Sequence, residues 1–455
     1  MNSIKKNEKG SFLRKIRKSK KKRIEDFADD NISTTTISNI ETGNESVSEE
    51  KIKYYCEKLG IDYQKLPSLI RTEKEKENLR YEKIKTELTQ IEHLISFNNA
   101  RKGLKLLREL KDIPESLKHY VLFLKGRGYI QIDNIKKAKQ FFRRAIEHVS
   151  EKPKYKHDNI HVNALNQLAR LSYYQNDFEK ALNYTSQGLK EFEHEGKNKY
   201  LFFVLKMNQA VYLERLGENA EAKEIIKKLL KQQDQIQNIE VVINMYDVKG
   251  SIYRKMGMYA EAVEACMKGL KLAKINKKTK RAVELWITLG SIYYDLDRLR
   301  EAETCLNLAL DLKTSKTKDH HIYLPAYIRL GQIYTKQGKY QDAQLVLNDA
   351  ITKGKNTRII STYIPAFVAL GDCYFEQKKF SNAIEAYNSA LKLARKHKLL
   401  SHEKDILYKL CLCFEKTDIK KFRKTLEKLF RVEVQLKTNK KKEVGSMFGD
   451  GDLHE

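Results

Sequence analysis

Apolar and small residues recur along most of this chain at helical spacing, in a pattern that repeats about every 40 residues. A small residue opens each copy: Gly126, Ala169, Ala210, Gly250, Gly290, Gly331 and Gly371, spaced by 43, 41, 40, 40, 41 and 40. Three residues later there is usually a tyrosine, at Tyr129, Tyr253, Tyr293, Tyr334 and Tyr374. Twelve residues on there is always an alanine, at Ala138, Ala181, Ala222, Ala262, Ala302, Ala343 and Ala383. Trp286, Tyr327 and Phe367 each stand four residues before their glycine. A small residue lets two antiparallel helix backbones approach, and the aromatic fills the groove beside that contact. Each copy therefore predicts two helices joined by a turn, which Gly217, Gly257 and Gly338 mark in three copies. Tyr212 lies one place early, so the register is shifted near 203–217.

Fainter copies flank the array. Leu88, Ile91 and Ala100 fit its start, followed by Leu104 and Leu107, and Cys411 and Phe414 fit its end. There Arg423 takes the alanine's place, which predicts a terminal cap whose outer face meets water. The count is about nine helix pairs over residues 80–436. The pattern resembles the tetratricopeptide repeat, whose period is about 34 residues. About six more residues per copy would add about 9 Å of helix or connection. The resemblance implies an all-α solenoid, stacked as a right-handed superhelix. One helix pair cannot bury its apolar face alone; stacked copies share a core and create an extended concave surface suited to a peptide or a protein.

Residues 10–60 do not follow the repeat. They carry G-x-x-L-R-x-x-R from Gly10, then Phe27-Ala28, then S-x-x-x-I-S-x-I-E-x-G from Ser33 to Gly43, then Leu59-Gly60-Ile61. These elements resemble the phage-repressor (XRE) type of helix-turn-helix domain. The resemblance implies that Phe27 and Ala28 belong to its second helix and that Ile37 and Ile40 pack the third helix inward. Ser33 suits the N-cap, where a hydroxyl accepts from free backbone N–H groups. The recognition helix would span roughly 34–41 and enter the major groove by its N-terminal end. Thr34, Thr35, Thr36, Ser38 and Asn39 would then face outward to the bases. Between Lys5 and Arg23 stand eleven basic residues and one acid. Of these, Arg14, Arg17, Lys18, Lys21 and Lys22 are expected on phosphates, which supply affinity without sequence choice.

Composition sharpens this picture. The 455 residues carry only five prolines, which favours long helices, and a net charge of +28, which fits an acidic partner such as nucleic acid or strong solubilising self-repulsion without choosing between them. No apolar run reaches the roughly 18 residues of a membrane span. The six cysteines include no C-x-x-C pair and are expected as reduced, mostly buried thiols of a cytosolic protein. The organisation expected is 1–66 as the DNA-binding domain, 67–85 as a helical linker, 86–436 as repeats and 437–455 as a flexible tail.

As a whole, this architecture resembles the RRNPP class of peptide-responsive quorum-sensing regulators, most closely its NprR-like and PlcR-like members. The resemblance implies a homodimer that binds DNA and a short signalling peptide held in the repeat groove, where it alters dimer geometry. Repeat-only relatives imply the alternative, an adaptor that sequesters a phosphorelay protein under peptide control, with or without DNA binding. Helical geometry nominates the groove residues: Asn163, Asn166, Arg170, Tyr173, Asn208, Asn244, Asp247, Ser251, Arg254 and Tyr294. An asparagine amide both donates and accepts, so it can pair with a peptide backbone of any sequence. Arg170 and Arg254 could hold an acidic side chain or the peptide carboxylate.

No enzyme chemistry emerges, and no cofactor or metal is expected. Asp319-His320-His321 lacks companion carboxylates, His157 and His161 lack a third ligand and read as surface histidines, and Asp450-Gly451-Asp452 is too short for a calcium loop. There is no phosphate-cradling glycine loop.

Overall fold

The computed structural model describes residues 5–97, 99–236, 238–313, 322–355 and 360–447, with side chains to 438. Asp319-His320-His321 and Asp450-Gly451-Asp452 lie outside the described residues. Among those described, every regular element is a helix, apart from one isolated bridge between Asp29 and Ile32. The chain divides into two compact units, Met1–Asn134 and Ile135–Glu455.

The first unit contains α1 (Lys6–Ser19), α2 (Thr34–Thr42), α3 (Glu49–Lys58), α4 (Leu66–Ser96), α5 (Ala100–Glu109) and α6 (Lys118–Gln131). Leu13, Ile32, Ile37, Ile40, Ile52, Tyr55 and Leu66 form a core that binds α1–α3 to the start of α4. Ser33 caps α2, its hydroxyl accepting from the Thr36 N–H at 3.1 Å. Gly43 ends α2 at φ +75°, a conformation glycine adopts without cost, and Asn7 is so close that a Cβ there would lie 2.3 Å from its Cα. The expected second helix is reduced to one 3-10 turn, Glu25–Phe27, and Ala28 is already extended. The reason is local: Asp29 Oδ1 accepts from the N–H groups of Asn31 and Ile32, a side-chain turn that competes with helix. Pro67 sits in the first turn of α4, where its missing N–H is harmless. That helix runs unbroken through the expected linker 67–85 and packs against α5 with Ile84, Leu88, Ile91 and Ile95.

The second unit opens with α7 (Ile135–Glu151). Seven helix pairs follow: α8 (Ile160–Tyr174) with α9 (Phe178–Lys190), and α10 (Tyr200–Leu216) with α11 (Asn219–Lys231). Next come α12 (Ile239–Lys255) with α13 (Tyr259–Ile275), and α14 (Thr279–Asp295) with α15 (Leu299–Asp311). The last are α16 (Leu324–Lys336) with α17 (Tyr340–Gly354), α18 (Ile360–Glu376) with α19 (Phe380–Lys396), and α20 (Leu400–Thr417) with α21 (Ile419–Met447). In chain order α4–α21 alternate as nine first-and-second helices among the described residues, and those of the second unit form a tetratricopeptide-like solenoid.

The small positions do what their spacing predicts. A Cβ on Gly290 would lie 2.8 Å from Leu306, on Gly331 2.4 Å from Leu347, and on Gly371 2.4 Å from Tyr387. Each of those knobs stands four residues after its copy's alanine, and Ala302, Ala343 and Ala383 are themselves fully buried. Seven residues after each small position the backbone turns left-handed: Asp133, Asn176, Gly217, Gly257, Asp297, Gly338 and Lys378 all have positive φ. At the far end α21 continues past residue 437, where a tail was expected. The last pair exposes Tyr408, Leu426, Phe430 and Val434 beside Arg423, so its surface is less polar than a water-facing cap requires.

Candidate functional site

In the second unit, successive first helices lie against one another, from α8–α10 through α18–α20, and among the described residues successive second helices make no comparable contact. The first helices thus form the closely spaced layer. Because the repeat is about 40 residues, side chains at matching places meet one copy later, and on this layer they meet through polar atoms.

The contacts form a ladder. Asn208 donates to Asn166 Oδ1 at 2.8 Å, joining α10 to α8. Ser251 of α12 donates to Glu214 of α10 at 2.9 Å, and Lys255 pairs with the same carboxylate at 2.7 Å. Between α12 and α14, Arg281 donates to Asn244 Oδ1 at 3.0 Å, Thr288 to Asp247 at 2.6 Å, and Arg254 to Asp295 at 2.7 Å. Between α14 and α16, the Arg329 guanidinium lies 4.5 Å and the Lys336 ammonium 4.3 Å from the Tyr294 ring centre. Asn163 accepts from Gln167 at 3.2 Å, the exposed Arg170 reaches Gln167 and Tyr174, and Tyr173 packs on Tyr212 with ring centres 5.4 Å apart.

All ten nominated residues therefore stand on α8, α10, α12 and α14. They differ in freedom. Asn166 is buried and bonded to Asn208, and Arg254 is already held by Asp295, so neither offers its full set of bonds to a ligand. Burial pushes the Asp247 carboxyl up to about 6, and the Glu284 charge adds to it against the Thr288 hydrogen bond. Glu214 stays below the usual carboxylate range: burial opposes ionisation, but Arg215, Lys255 and Ser251 outweigh it.

Glu214, Arg281, Thr288, Arg329 and Lys336 were missed by sequence reasoning. Thr288 and Arg329 both stand two residues before their small position, and Asp295 and Lys336 five after, a stripe one residue round the helix from the nominated one. Beyond them a cavity of about 760 Å³ is lined by Tyr294, Gln332, Lys336, Asp372, Glu376, Tyr387 and Lys409. On its far wall Asp372 accepts from Tyr387 at 2.6 Å and pairs with Lys409 at 2.9 Å. His157 is exposed, but His161, read as a surface residue, is buried in α8 with Nε2 3.4 Å from the Glu191 carbonyl.

In the first unit, Thr34 and Thr35 are exposed, and Thr36, Ser38 and Asn39 partly so. Arg14, Lys18, Lys21 and Lys22 are exposed as well. Arg17 is not. It is buried and forks onto Glu41, with Nε at 2.6 Å and Nη2 at 2.8 Å, and Tyr55 donates to the same carboxylate at 2.7 Å. Four residues after the buried Leu13, it stands on the inward side of α1, so it leaves the phosphate set. Burial alone would raise the Glu41 carboxyl, but the Arg17 and Tyr55 hydrogen bonds and the Arg17 and Arg14 charges hold it below the usual range.

No helix among the described residues is long and apolar enough to cross a membrane. Tetratricopeptide-repeat family profiles match residues 119–147, 243–276, 281–353 and 365–397. No curated protein sequence matches the chain significantly. Solved structures match in fold. A Rap protein complexed with competence and sporulation factor is 14% identical, with a TM-score of 0.57, over 78% of this chain and 99% of that one. The apo form of the quorum sensor NprR from B. thuringiensis is 15% identical, with a TM-score of 0.56 and the same coverage. NprR in complex with its cognate peptide NprX is 16% identical, with a TM-score of 0.54, again over 78% and 99%. The chain carries tetratricopeptide repeats, arranged in a fold similar to that of those proteins.

Proposed function

We propose that the chain is a cytosolic, peptide-responsive regulator of transcription. Its repeats hold a short, extended peptide on the first-helix layer, and residues 1–66 read double-stranded DNA as part of a homodimer. The observation that carries the first half is the polar ladder from α8 to α16. Such a surface costs desolvation and adds little packing, so it suits a ligand whose backbone needs donors and acceptors at regular intervals. Rap and NprR, similar in fold, are described as complexed with competence and sporulation factor and with a cognate peptide, which supports the same use here. For the second half the support is the XRE resemblance, the capped α2 with outward threonines, and the exposed cations of α1 and the turn after it.

A peptide that prefers one curvature of the stack over another would shift the equilibrium by its difference in affinity, typically about 1–3 kcal/mol, and so the spacing of two DNA readers. Thr35→Ala with Asn39→Ala is expected to relax base choice in operators selected from random DNA. Lys21→Ala is expected to weaken all DNA alike and to reduce the salt dependence by about one charge. If both variants bind the selected operator as the parent does, α2 is not the reading helix.

One observation favours a second reading. The helix before α2 is reduced to a 3-10 turn, so α2 lacks the partner that lies across the DNA backbone in helix-turn-helix domains. In that case the chain acts as an adaptor on a phosphorelay protein under peptide control, without DNA. Loss of cellular effect in the Thr35→Ala, Asn39→Ala chain favours the DNA reader; retention favours the adaptor.

A further inference from the structure

Arg329 is a cation of the first-helix layer that the ladder leaves without a carboxylate partner. It stands in the middle of α16, half-buried against the Tyr294 ring. Among the described residues no carboxylate comes within 4.0 Å of it: nearby Asp295 is taken by Arg254 at 2.7 Å, and Asp297 pairs with Lys336 at 3.1 Å. Burial and the positive Arg254 work against its charge and outweigh the support that Asp295 and Tyr294 give it. A guanidinium does not release its proton in proteins, so the charge remains, partly stripped of water and without a carboxylate in direct contact.

We propose that Arg329, flanked by Tyr294 and Lys336, is the receptor for a carboxylate of the bound peptide. The assignment rests on the peptide reading above and moves the carboxylate role from Arg254, which Asp295 already neutralises, to a residue the repeat pattern did not nominate. Three features fit a carboxylate. The planar fork matches two oxygens at once. Tyr294 holds that plane, which removes most of the freedom an arginine would lose on binding. Gln332 and Lys336, one and two turns further along the same face of α16, line the cavity of about 760 Å³, so Arg329 stands at its edge. The acids Asp372 and Glu376 on that cavity's lining disfavour a doubly charged phosphate group and tolerate a single negative charge held at the arginine.

The carboxylate could be the peptide's C-terminus or an Asp or Glu side chain, and the test separates them. The full-length chain is incubated with three pools of synthetic heptapeptides: free acids, the same pool C-amidated, and a free-acid pool lacking Asp and Glu. Retained peptides are identified by mass and titrated singly. Binders lost on amidation use the C-terminus; binders lost only from the pool lacking Asp and Glu use a side chain. Arg329→Gln is expected to weaken selected peptides about ten- to a hundredfold, the range for a charged hydrogen-bonded pair. Neutralising the peptide's carboxylate should weaken binding to the parent by a similar factor and to Arg329→Gln hardly further. Without peptide, Arg329→Gln is expected to melt no lower than the parent, because it removes an unpaired desolvated charge. That readout separates a ligand residue from a structural one.

Peptides that bind the parent and Arg329→Gln equally, or losses that simply add, overturn the receptor and leave the peptide reading standing. If no pool yields a binder to the parent, the peptide reading itself falls, and the receptor with it.

Discussion

At the scale of single residues, two carboxylates show how burial acts through its partners. Glu41 is buried beside Arg17 and Tyr55, and its depressed pKa means that the folded state prefers the charged form. Its contribution is therefore fully present above the unfolded value, about 4.5, and is lost as pH falls through the lower folded value. Removing one partner is worse than acid, since it leaves a buried charge alone. Arg17→Leu is expected to destabilise the first unit by about 3–5 kcal/mol in urea titration at pH 7. A phosphate ligand exposed on α1 would show no such loss. Asp247 has the opposite sign. Its pKa is pushed up to about 6, so its ionisation opposes folding. That cost is absent below the ordinary value of 3.8 and grows as pH rises through 6. Asp247→Asn can still accept from Thr288 without ever ionising. It is expected to be more stable than the parent by about 1–3 kcal/mol at pH 8, and equal to it at pH 4. A gain independent of pH in the same titration would count against an ionised Asp247.

At the scale of elements, the chain is regular in structure where it is irregular in sequence. The backbone turns left-handed at the seventh residue after every small position, yet glycine marks only Gly217, Gly257 and Gly338. Asp133, Asn176 and Asp297 are tolerable there because short polar side chains accept that conformation. Lys378 is not of that kind, and its φ of +59° carries strain. Lys378→Gly relieves the strain but gives the unfolded chain more freedom. The net expected is a gain of about 0.5–1 kcal/mol, read as a higher urea midpoint. A loss would show that the lysine side chain contributes packing worth more than the strain. The same contrast explains what could be read in advance. Helix pairing was legible because close approach demands a small residue at Gly290, Gly331 and Gly371 and an apolar one sixteen positions later. The 3-10 turn at Glu25–Phe27 was not, since it depends on where the Asp29 side chain folds back. Nor was the partnership of Arg254 with Asp295, because it joins two copies 41 residues apart through a choice of rotamer. Arg17 was misassigned for a related reason: a lysine-rich run hides the one member whose helical position faces inward.

On the scale of the molecule, the second unit is held together almost entirely by neighbours. Helix α16 touches α14, α15, α17 and α18, α17 touches α16 and α18, and among the described residues no extensive contact reaches helices several copies away. Stability in such a stack is close to a sum of local terms and nearest-neighbour interfaces, so a lesion should stay where it is made. Gly331→Ala is a clean lesion. Its new methyl would sit 2.4 Å from Leu347, inside a close-packed interface, and overpacking of this kind costs about 1–3 kcal/mol. Native-state hydrogen exchange on the variant is expected to show faster exchange in α16 and α17, a smaller effect in α14, α15, α18 and α19, and parental rates in α8 and α9. Leu347→Ala in the same chain should restore much of the protection, because the two side chains compete for one space. Uniform loss of protection from α8 to α20 would mean that the stack opens as one cooperative body. A ligand on α12–α16 could then act on the whole array at once, instead of through the few copies it spans.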